Sequence, residues 1–322
     1  MINIIGGAGF VGTRLAQVLN SQGASFKIFD KALDREGYCD VTRLDSLSAL
    51  PAADTVINLA AEHRDDVTPR SLYDDVNVKG ARYVCDYCRR SNTRQIIFTS
   101  SVAVYGFAPE GTDEQGAFNP FNDYGRTKME AEAVYREWLA EDPEQRSLVI
   151  VRPTVIFGEQ NRGNVYNLLR QIAAGQFIMF GSGANRKSMA YVQNIAEFLA
   201  FCTQFGPGEH LYNYVDKPDL SMNTLVARCR SVLWGKKGVG LRLPGWLGIL
   251  AGYGFDALAA ITGRKLPISS IRVKKFMGTT AFDTSISRTG FKPSSTLAQG
   301  IERTLRHEFL ENHEAEKVFF SE

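Results

Sequence analysis

Cysteine and histidine are both scarce in this chain, and the scarcity bears on two classes of site at the outset. Five cysteines (Cys39, Cys85, Cys88, Cys202 and Cys229) among 322 residues make an odd, scattered set, which fits a reducing compartment and no disulfide framework. Cys85 and Cys88 do spell C-x-x-C, but inside a helical pattern and with no second pair to complete a metal knuckle. His210, His307 and His313 stand at spacings that match no ligand pattern, so no metal is expected. An excess of one charge is missing too, and a net charge of +2 leaves no footprint for nucleic acid. The amino terminus shows no basic stretch, apolar core and cleavage site of a secretory signal, which predicts a cytoplasmic chain. Repeats and low-complexity linkers are absent. Hydrophobic residues at 44% and charged residues at 22% are ordinary for a folded chain, and the length suits one large domain or two unequal lobes.

What is present is alternation. Ile2–Ile5, Phe26–Phe29, Thr55–Leu59, Gln95–Thr99 and Leu148–Val151 are short, continuous apolar runs, the pattern of strands covered on both faces. Between them, Phe10–Gln22, Thr42–Leu50, Ser71–Arg90 and Tyr124–Ala140 carry apolar residues at helical spacing. Strand and helix in turn predict an α/β fold with a doubly wound parallel sheet of the Rossmann type. After about Gly158 the pattern loosens. Helices are expected at Val165–Ala174, Val192–Gln204, Ser221–Trp234 and Thr296–Leu310, and His210–Val215 reads as a strand returning to the main sheet. The resulting division is residues 1–158 plus about 189–215 as a dinucleotide-binding domain, about 159–188 plus 216–311 as a smaller C-terminal substrate lobe, and 312–322 as a tail.

Gly6, Gly9 and Gly12 form G-x-x-G-x-x-G between the first strand and the first helix. Such glycines let the backbone turn tightly and approach a pyrophosphate, whose charge then sits at the positive end of the helix. Asp30, at the end of the second strand, would accept hydrogen bonds from both ribose hydroxyls and repel a 2′-phosphate, favouring NAD over NADP. Lys31 beside it softens that preference. Asp40 and Val41 stand where a third strand would bring them to the adenine edge, or else mark a helix N-terminus.

Tyr124 and Lys128 lie four apart at the start of a helix and so share a face. A phenol ordinarily loses its proton near pH ~10. A neighbouring ammonium and a cationic nicotinamide would lower that value and make Tyr124 a base. Ser101 ends the strand that begins at Gln95, at the carboxyl edge where ligands bind, and its hydroxyl can hold a substrate oxygen beside Tyr124. Together the three compose a proton-and-hydride site. His63, Arg64, Asp65 and Asp66 follow the strand at Thr55, at the same edge. They read either as substrate-lining groups, with His63 or Arg64 reaching a phosphate or an N-acetyl group, or as a solvated loop.

These strings (Gly6-Gly-Ala-Gly9-Phe10-Val11-Gly12, Asn58-Leu59-Ala60-Ala61, Ser101-Val-Ala-Val-Tyr105-Gly106, Tyr124-x-x-x-Lys128 and Arg152-Pro153) resemble the extended short-chain dehydrogenases, the nucleotide-sugar epimerases and dehydratases, from residue 1 to about 311. The resemblance implies NAD as cofactor, held by the glycine loop with Phe10 and Val11, by Asp30, by Asp40 and Val41, and by Leu59, Ala60 and Ala61. It implies that Asn77 supports the active-site helix beside the cofactor, that Pro153 lies near the nicotinamide, and that Asn164 and Lys187 contact the diphosphate side of the substrate. Ile5 replaces the family's usual threonine, and Val155 replaces an asparagine that many galactose epimerases use on their nucleotide sugar. In the family's 4,6-dehydratases an Asp-Glu pair follows the catalytic Ser/Thr. Here those positions are Val102 and Ala103, which move no proton, leaving epimerisation through a 4-keto sugar or one-way reduction of a keto sugar.

Longer strings, Leu59–Val67, Arg152–Gly158, Asn161–Leu169, Lys187–Val192 and Tyr212–Asp219, are similar to a narrower family, the lipid-linked N-acetylhexosamine 4-epimerases of O-antigen synthesis. That likeness implies exchange of GlcNAc and GalNAc on undecaprenyl diphosphate at the inner face of the cell membrane. A UDP-linked sugar is the alternative carrier. The partners implied are a diphosphate-linked amino sugar, a membrane surface and a second copy of the chain as a homodimer. Leu243–Phe255 carries no charge, and Asp256 is the only one before Arg264 and Lys265. Its glycines make it a poor spanning helix. With Lys236, Lys237, Lys274 and Lys275 nearby, it reads either as an interfacial segment presenting Trp246, Leu250 and Phe255 or as a buried helix of the lobe.

Overall fold

Six apolar segments pair side by side, all in parallel, in a computed structural model that describes residues 1–64, 67–262, 273, 276–313 and 316–320. They are β1 (Ile2–Ile5), β2 (Phe26–Phe29), β3 (Thr55–Asn58), β4 (Gln95–Thr99), β5 (Ser147–Pro153) and, from the later half, the strand Gly208–Tyr214. Of the short strands before that last one, Val155–Phe157 is β6 and Met189–Tyr191 is β7, and the last one is β8. The sheet order is β8-β5-β4-β3-β1-β2. The returning strand expected at His210–Val215 is β8, docked beside β5 with Tyr212 opposite Val151. Strand order reverses at β1, whose Ile5 lies between Phe29 and Asn58. A crevice opens at the carboxyl ends of strands where the order reverses.

Alternate residues of each strand face opposite sides, and both sides are dry. Ile5, Val56, Ile96, Phe98 and Ile150 pack against α4 (Gly80–Arg90) and α5 (Asp123–Ala140) through Val84, Tyr135 and Trp138. Ile4, Ile57, Ile97, Val149 and Val151 pack against α1 (Phe10–Ser21) and α7 (Val192–Phe201) through Leu15, Leu19 and Phe198. A separate core joins α6 (Asn164–Ala173), α8 (Met222–Trp234) and α10 (Leu297–Phe309) around Leu169, Val226 and Ile301. Cys85 and Cys88 are free and lie in the core under α4. Burial pushes both thiols up, that of Cys88 to about 12, so neither offers a thiolate.

One expectation changes and two open readings narrow. No strand forms at Asp40 and Val41; the Asp40 carboxylate accepts from the Thr42 amide at 2.9 Å and hydroxyl at 2.8 Å, capping the turn before α2 (Leu44–Ser48). The helix expected over Ser71–Arg90 is interrupted: after α3 (Ser71–Tyr73), residues Asp74–Lys79 take a π-helical turn before α4. Leu243–Phe255 falls largely in α9 (Gly245–Thr262), which is seated on Phe180 at Gly248, where a Cβ would come within 2.7 Å of the ring. Trp246, Leu250 and Tyr253, at i, i+4 and i+7, are 64%, 61% and 51% exposed, so the helix is not buried all round. The Phe255 side chain, Arg264, Lys265, Lys274 and Lys275 lie outside the described residues, as do Asp65 and Asp66. Among the described residues no helix is long and apolar enough to cross a membrane.

Candidate active site

The glycine loop is pinned on two sides before any ligand is considered. Gly6 has φ +77°, and a Cβ there would come within 2.6 Å of the Ala60 amide, so the end of β1 lies directly on Leu59 and Ala60. A Cβ at Gly12 would meet the Gly7 backbone at 2.5 Å, so α1 starts in contact with the loop itself. The face at Gly9 is more open: among the described residues, a Cβ there would meet only the Gly6 carbonyl, at 3.3 Å. No side chain caps the start of α1 at Gly9, which leaves first-turn amides, including those of Phe10 and Val11, facing the crevice with the positive end of the helix. Asp30 stands at the mouth, its two oxygens taking the Ala8 amide at 3.1 Å and the Ala32 amide at 2.9 Å. An uncapped helix start, a glycine loop with one open face and a carboxylate at the next strand end fit the diphosphate and ribose of NAD. Val41 is buried behind this loop, against Gly80.

Three contacts assemble the chemistry at the other end of the crevice. The Asn122 side chain caps α5 by accepting from the Gly125 amide at 2.9 Å. Gly125 in turn lies so close to the Ala103 carbonyl that a Cβ would reach it at 2.5 Å. This approach brings the first turn of α5 onto the loop after β4 and sets Tyr124 near Ser101. The Ser101 oxygen also accepts from the Ala103 amide at 3.1 Å, which fixes its rotamer. Lys128 is buried, its ammonium donating to the Thr99 carbonyl at 2.8 Å and lying 4.8 Å from the centre of the Phe98 ring.

Tyr124 and Lys128 share a face of α5 without a direct bond between them. The lysine nitrogen is 6.0 Å from the centre of the tyrosine ring and is bonded elsewhere. Burial pulls the Lys128 pKa down to about 7, partly opposed by Glu132. Burial also raises the Tyr124 phenol, partly offset by the nearby Ser101 hydroxyl. In the chain alone Tyr124 is therefore a weaker acid than free tyrosine, not a stronger one.

Sequence reasoning missed what holds this helix. Glu132, one turn beyond Lys128, is fully buried against Arg152, with Nε–Oε1 at 2.8 Å and Nη2–Oε2 at 2.6 Å. Ser100 donates to the same carboxylate, Arg136 adds a contact at 3.2 Å, and Arg152 reaches the Tyr105 hydroxyl at 2.6 Å. Tyr105 donates onward to Asn213 at 2.8 Å. Spacing of four along α5 was the available signal for Glu132, but its partner on β5 is visible only once the strands are ordered. Asn77 closes the frame from the π-helical turn. Its amide bonds the Glu62 backbone at 2.9 Å on both sides and Thr127 at 2.9 Å, so it braces α5.

The remaining expected residues lie on separate elements. Pro153 ends β5 and is buried beside Tyr214. His63 is water-accessible on the cleft wall, and desolvation, with Lys128 adding, lowers its imidazole below the usual range. Arg64 leans on Glu62 at 3.4 Å and is about half exposed. Asn164 is exposed at the start of α6, while Lys187 contacts the Thr280 hydroxyl at 3.1 Å, two residues before Met189, which pairs with the exposed Val155. His307 and His313, isolated in sequence, stack at 3.9 Å and both meet Glu316, at 3.0 and 3.2 Å.

The NAD dependent epimerase/dehydratase family pattern matches residues 2–214. An N-acetyl-alpha-D-glucosaminyl-diphospho-ditrans,octacis-undecaprenol 4-epimerase of Escherichia coli O157:H7 is 50% identical over 99% of this chain and 98% of its own length. A UDP-glucose 4-epimerase of Vibrio cholerae is 28% identical over 74% of this chain and 70% of its own. Among solved structures, the UDP-N-acetylglucosamine 4-epimerase of Bacillus cereus superposes with TM-score 0.73 at 16% identity, covering 99% of both chains. The UDP-glucuronic acid 4-epimerase of Bacillus cereus in complex with NAD gives 0.70 at 18% identity, covering 95% of this chain and 97% of the other. These two likenesses are of fold.

Proposed function

The chain belongs to the NAD dependent epimerase/dehydratase family, and from that membership we propose that it inverts C4 of an N-acetylhexosamine joined through diphosphate to undecaprenol. The reaction interconverts GlcNAc and GalNAc for a bacterial surface polysaccharide such as O-antigen. The chain is an NAD-dependent enzyme. The observation that carries the substrate assignment is the end-to-end, half-identical match to the Escherichia coli 4-epimerase. The geometry agrees with inversion at a single carbon, since Ser101, Tyr124 and Lys128 meet at one strand edge while Val102 and Ala103 supply no second acid or base.

NAD supplies the hydride acceptor and donor. Tyr124 takes the proton of the C4 hydroxyl and later returns it to the 4-keto sugar, while Ser101, near Tyr124, holds the same oxygen. Because burial raises the phenol, Tyr124 becomes a base only when positive charge fills the cleft. Lys128, near neutrality at about 7, contributes more of that charge as pH falls. Arg64, Asn164 and Lys187 are the groups we assign to the diphosphate side.

We place the reaction at the membrane surface. Trp246, Leu250 and Tyr253 form one exposed stripe of α9, with Leu241 at 58% exposure just before it and exposed Lys236 and Lys237 nearby. A helix lying in an interface presents such a stripe, each fully buried apolar side chain contributing ~1.5–3 kcal/mol. Activity with GlcNAc-diphospho-undecaprenol, little with UDP-GlcNAc, and flotation with anionic liposomes are expected. Changing Trp246, Leu250 and Tyr253 together to serine should release the protein from liposomes. Efficient turnover of UDP-GlcNAc without liposome association would overturn the lipid-linked assignment.

A further inference from the structure

The last described residues do not trail away from the fold. The Arg162 amide donates to the Phe319 carbonyl at 2.7 Å and the Phe319 amide donates to the Gln160 carbonyl at 2.8 Å, a short parallel bridge centred on Asn161. The Phe319 ring lies 5.7 Å from that of Phe10, the first residue of α1. Lys317 sets its ammonium on the Ala8 carbonyl at 3.0 Å, inside the glycine loop and 309 positions away in sequence. The segment is moored at its root: Glu316 accepts from Gln160 at 2.8 Å and meets both His307 and His313. Gln160 also accepts from Arg14 of α1 at 3.0 Å. One segment thus touches the dinucleotide loop, the first residue of its helix and the loop that leads into α6.

We propose that residues 316–319 are a strap that closes the dinucleotide loop, and that Lys317 is a cofactor-binding residue whose ammonium serves the NAD diphosphate. The residues of the loop itself, Gly6 to Gly12, carry no charge. Their affinity for a doubly negative diphosphate rests on backbone amides and the helix dipole. Lys317 brings a full positive charge to the same loop, and a strap that also covers Phe10 hinders release. An epimerase regenerates NAD within each cycle, so slow release costs it nothing in turnover. The inference rests on NAD as cofactor and not on the identity of the sugar carrier.

The test is binding, not activity. Lys317→Ala should weaken NAD and ADP-ribose, which share the diphosphate, about tenfold by titration calorimetry, as loss of a charged hydrogen bond implies. Lys317→Arg should recover most of it, and the melting temperature of cofactor-free protein should not move. A chain ending at His313 should release bound NAD faster still in stopped-flow chase experiments, and Phe319→Ala in the full chain should reproduce part of that acceleration. Unchanged NAD affinity in Lys317→Ala would overturn the role of Lys317. Unchanged release in both Phe319→Ala and the shortened chain would overturn the strap, whichever sugar the enzyme accepts.

Discussion

Beneath the catalytic helix and at the crossing from sheet to lobe, two carboxylates are buried in opposite ways. Glu132 meets cations: Arg152 takes both its oxygens and Arg136 adds a third contact. Asp216, just past β8 and 4% exposed, is bonded among the described residues by dipoles alone, from the Tyr191 amide at 2.7 Å, Asn194 at 2.9 Å and the Tyr214 hydroxyl at 3.3 Å. Desolvation, with Glu197 adding, raises Asp216 to about 6. A buried charge with a matched partner holds one geometry, whereas a buried carboxyl held by dipoles can take up a proton where it stands. The first arrangement lies one turn beyond Lys128 on α5, and the second just past the end of β8.

That contrast can be broken in three places. The largest effect should come from Tyr124→Phe, which removes the proton acceptor seated over the ion-paired region; turnover should fall about 10²–10⁴-fold. NAD affinity by calorimetry should hardly change, and near-normal turnover would move the chemistry elsewhere. Next is the pair itself. Arg152→Ala leaves Glu132 charged and dry, and urea unfolding should show a loss of about 3–5 kcal/mol. Glu132→Leu combined with Arg152→Met should cost much less, because no orphan charge remains. A double variant as unstable as the single one would mean that packing, not charge, is what the pair supplies.

The smallest effect is at Asp216. An aspartate free in the unfolded chain ionises near 3.8, while this one holds its proton to about 6. Between those values the folded state binds more protons, so the contribution of Asp216 is complete below pH ~4 and fades as pH rises through ~6. The rise from 3.8 to about 6 corresponds to on the order of 3 kcal/mol. Thermal melts across that window should show a decline with rising pH that Asp216→Asn flattens. A slope untouched by the substitution would assign it to another group.

Much of this was legible from residues whose meaning is local. Continuous apolar runs such as Gln95–Thr99 became strands with the expected bounds, because a strand covered on both faces has no polar side to show. Ser101, Tyr124 and the glycine loop converge because short turns link them to strand and helix ends. Asp40 and Val41 left two readings open because an aspartate before a short helix and one at a strand end look alike, and the turn before α2 is the one that forms. Glu132 with Arg152 and Lys317 with Ala8 were out of reach, because each pair meets only after separate elements dock, and His307 meets His313 only through the path the chain takes on leaving α10. The Lys128 nitrogen showed a further limit: spacing put it on the same face as Tyr124, but the nearest good acceptor was the Thr99 carbonyl.

The π-helical turn at Asp74–Lys79 is a slipped thread in a screw. One residue more than an α-helical turn requires is wound in there, so the faces before and after it are indexed independently. Upstream and within it, the winding aims Asn77 at Thr127 and the Glu62 backbone. Downstream, it sets which side of Gly80–Arg90 meets the sheet. Loss of a single residue in the turn would let it rewind as an α-helix, so that Gly80–Arg90 keeps its buried side while Asn77 is carried away from Thr127. A deletion of that kind would be silent to the fold and audible only at the catalytic helix.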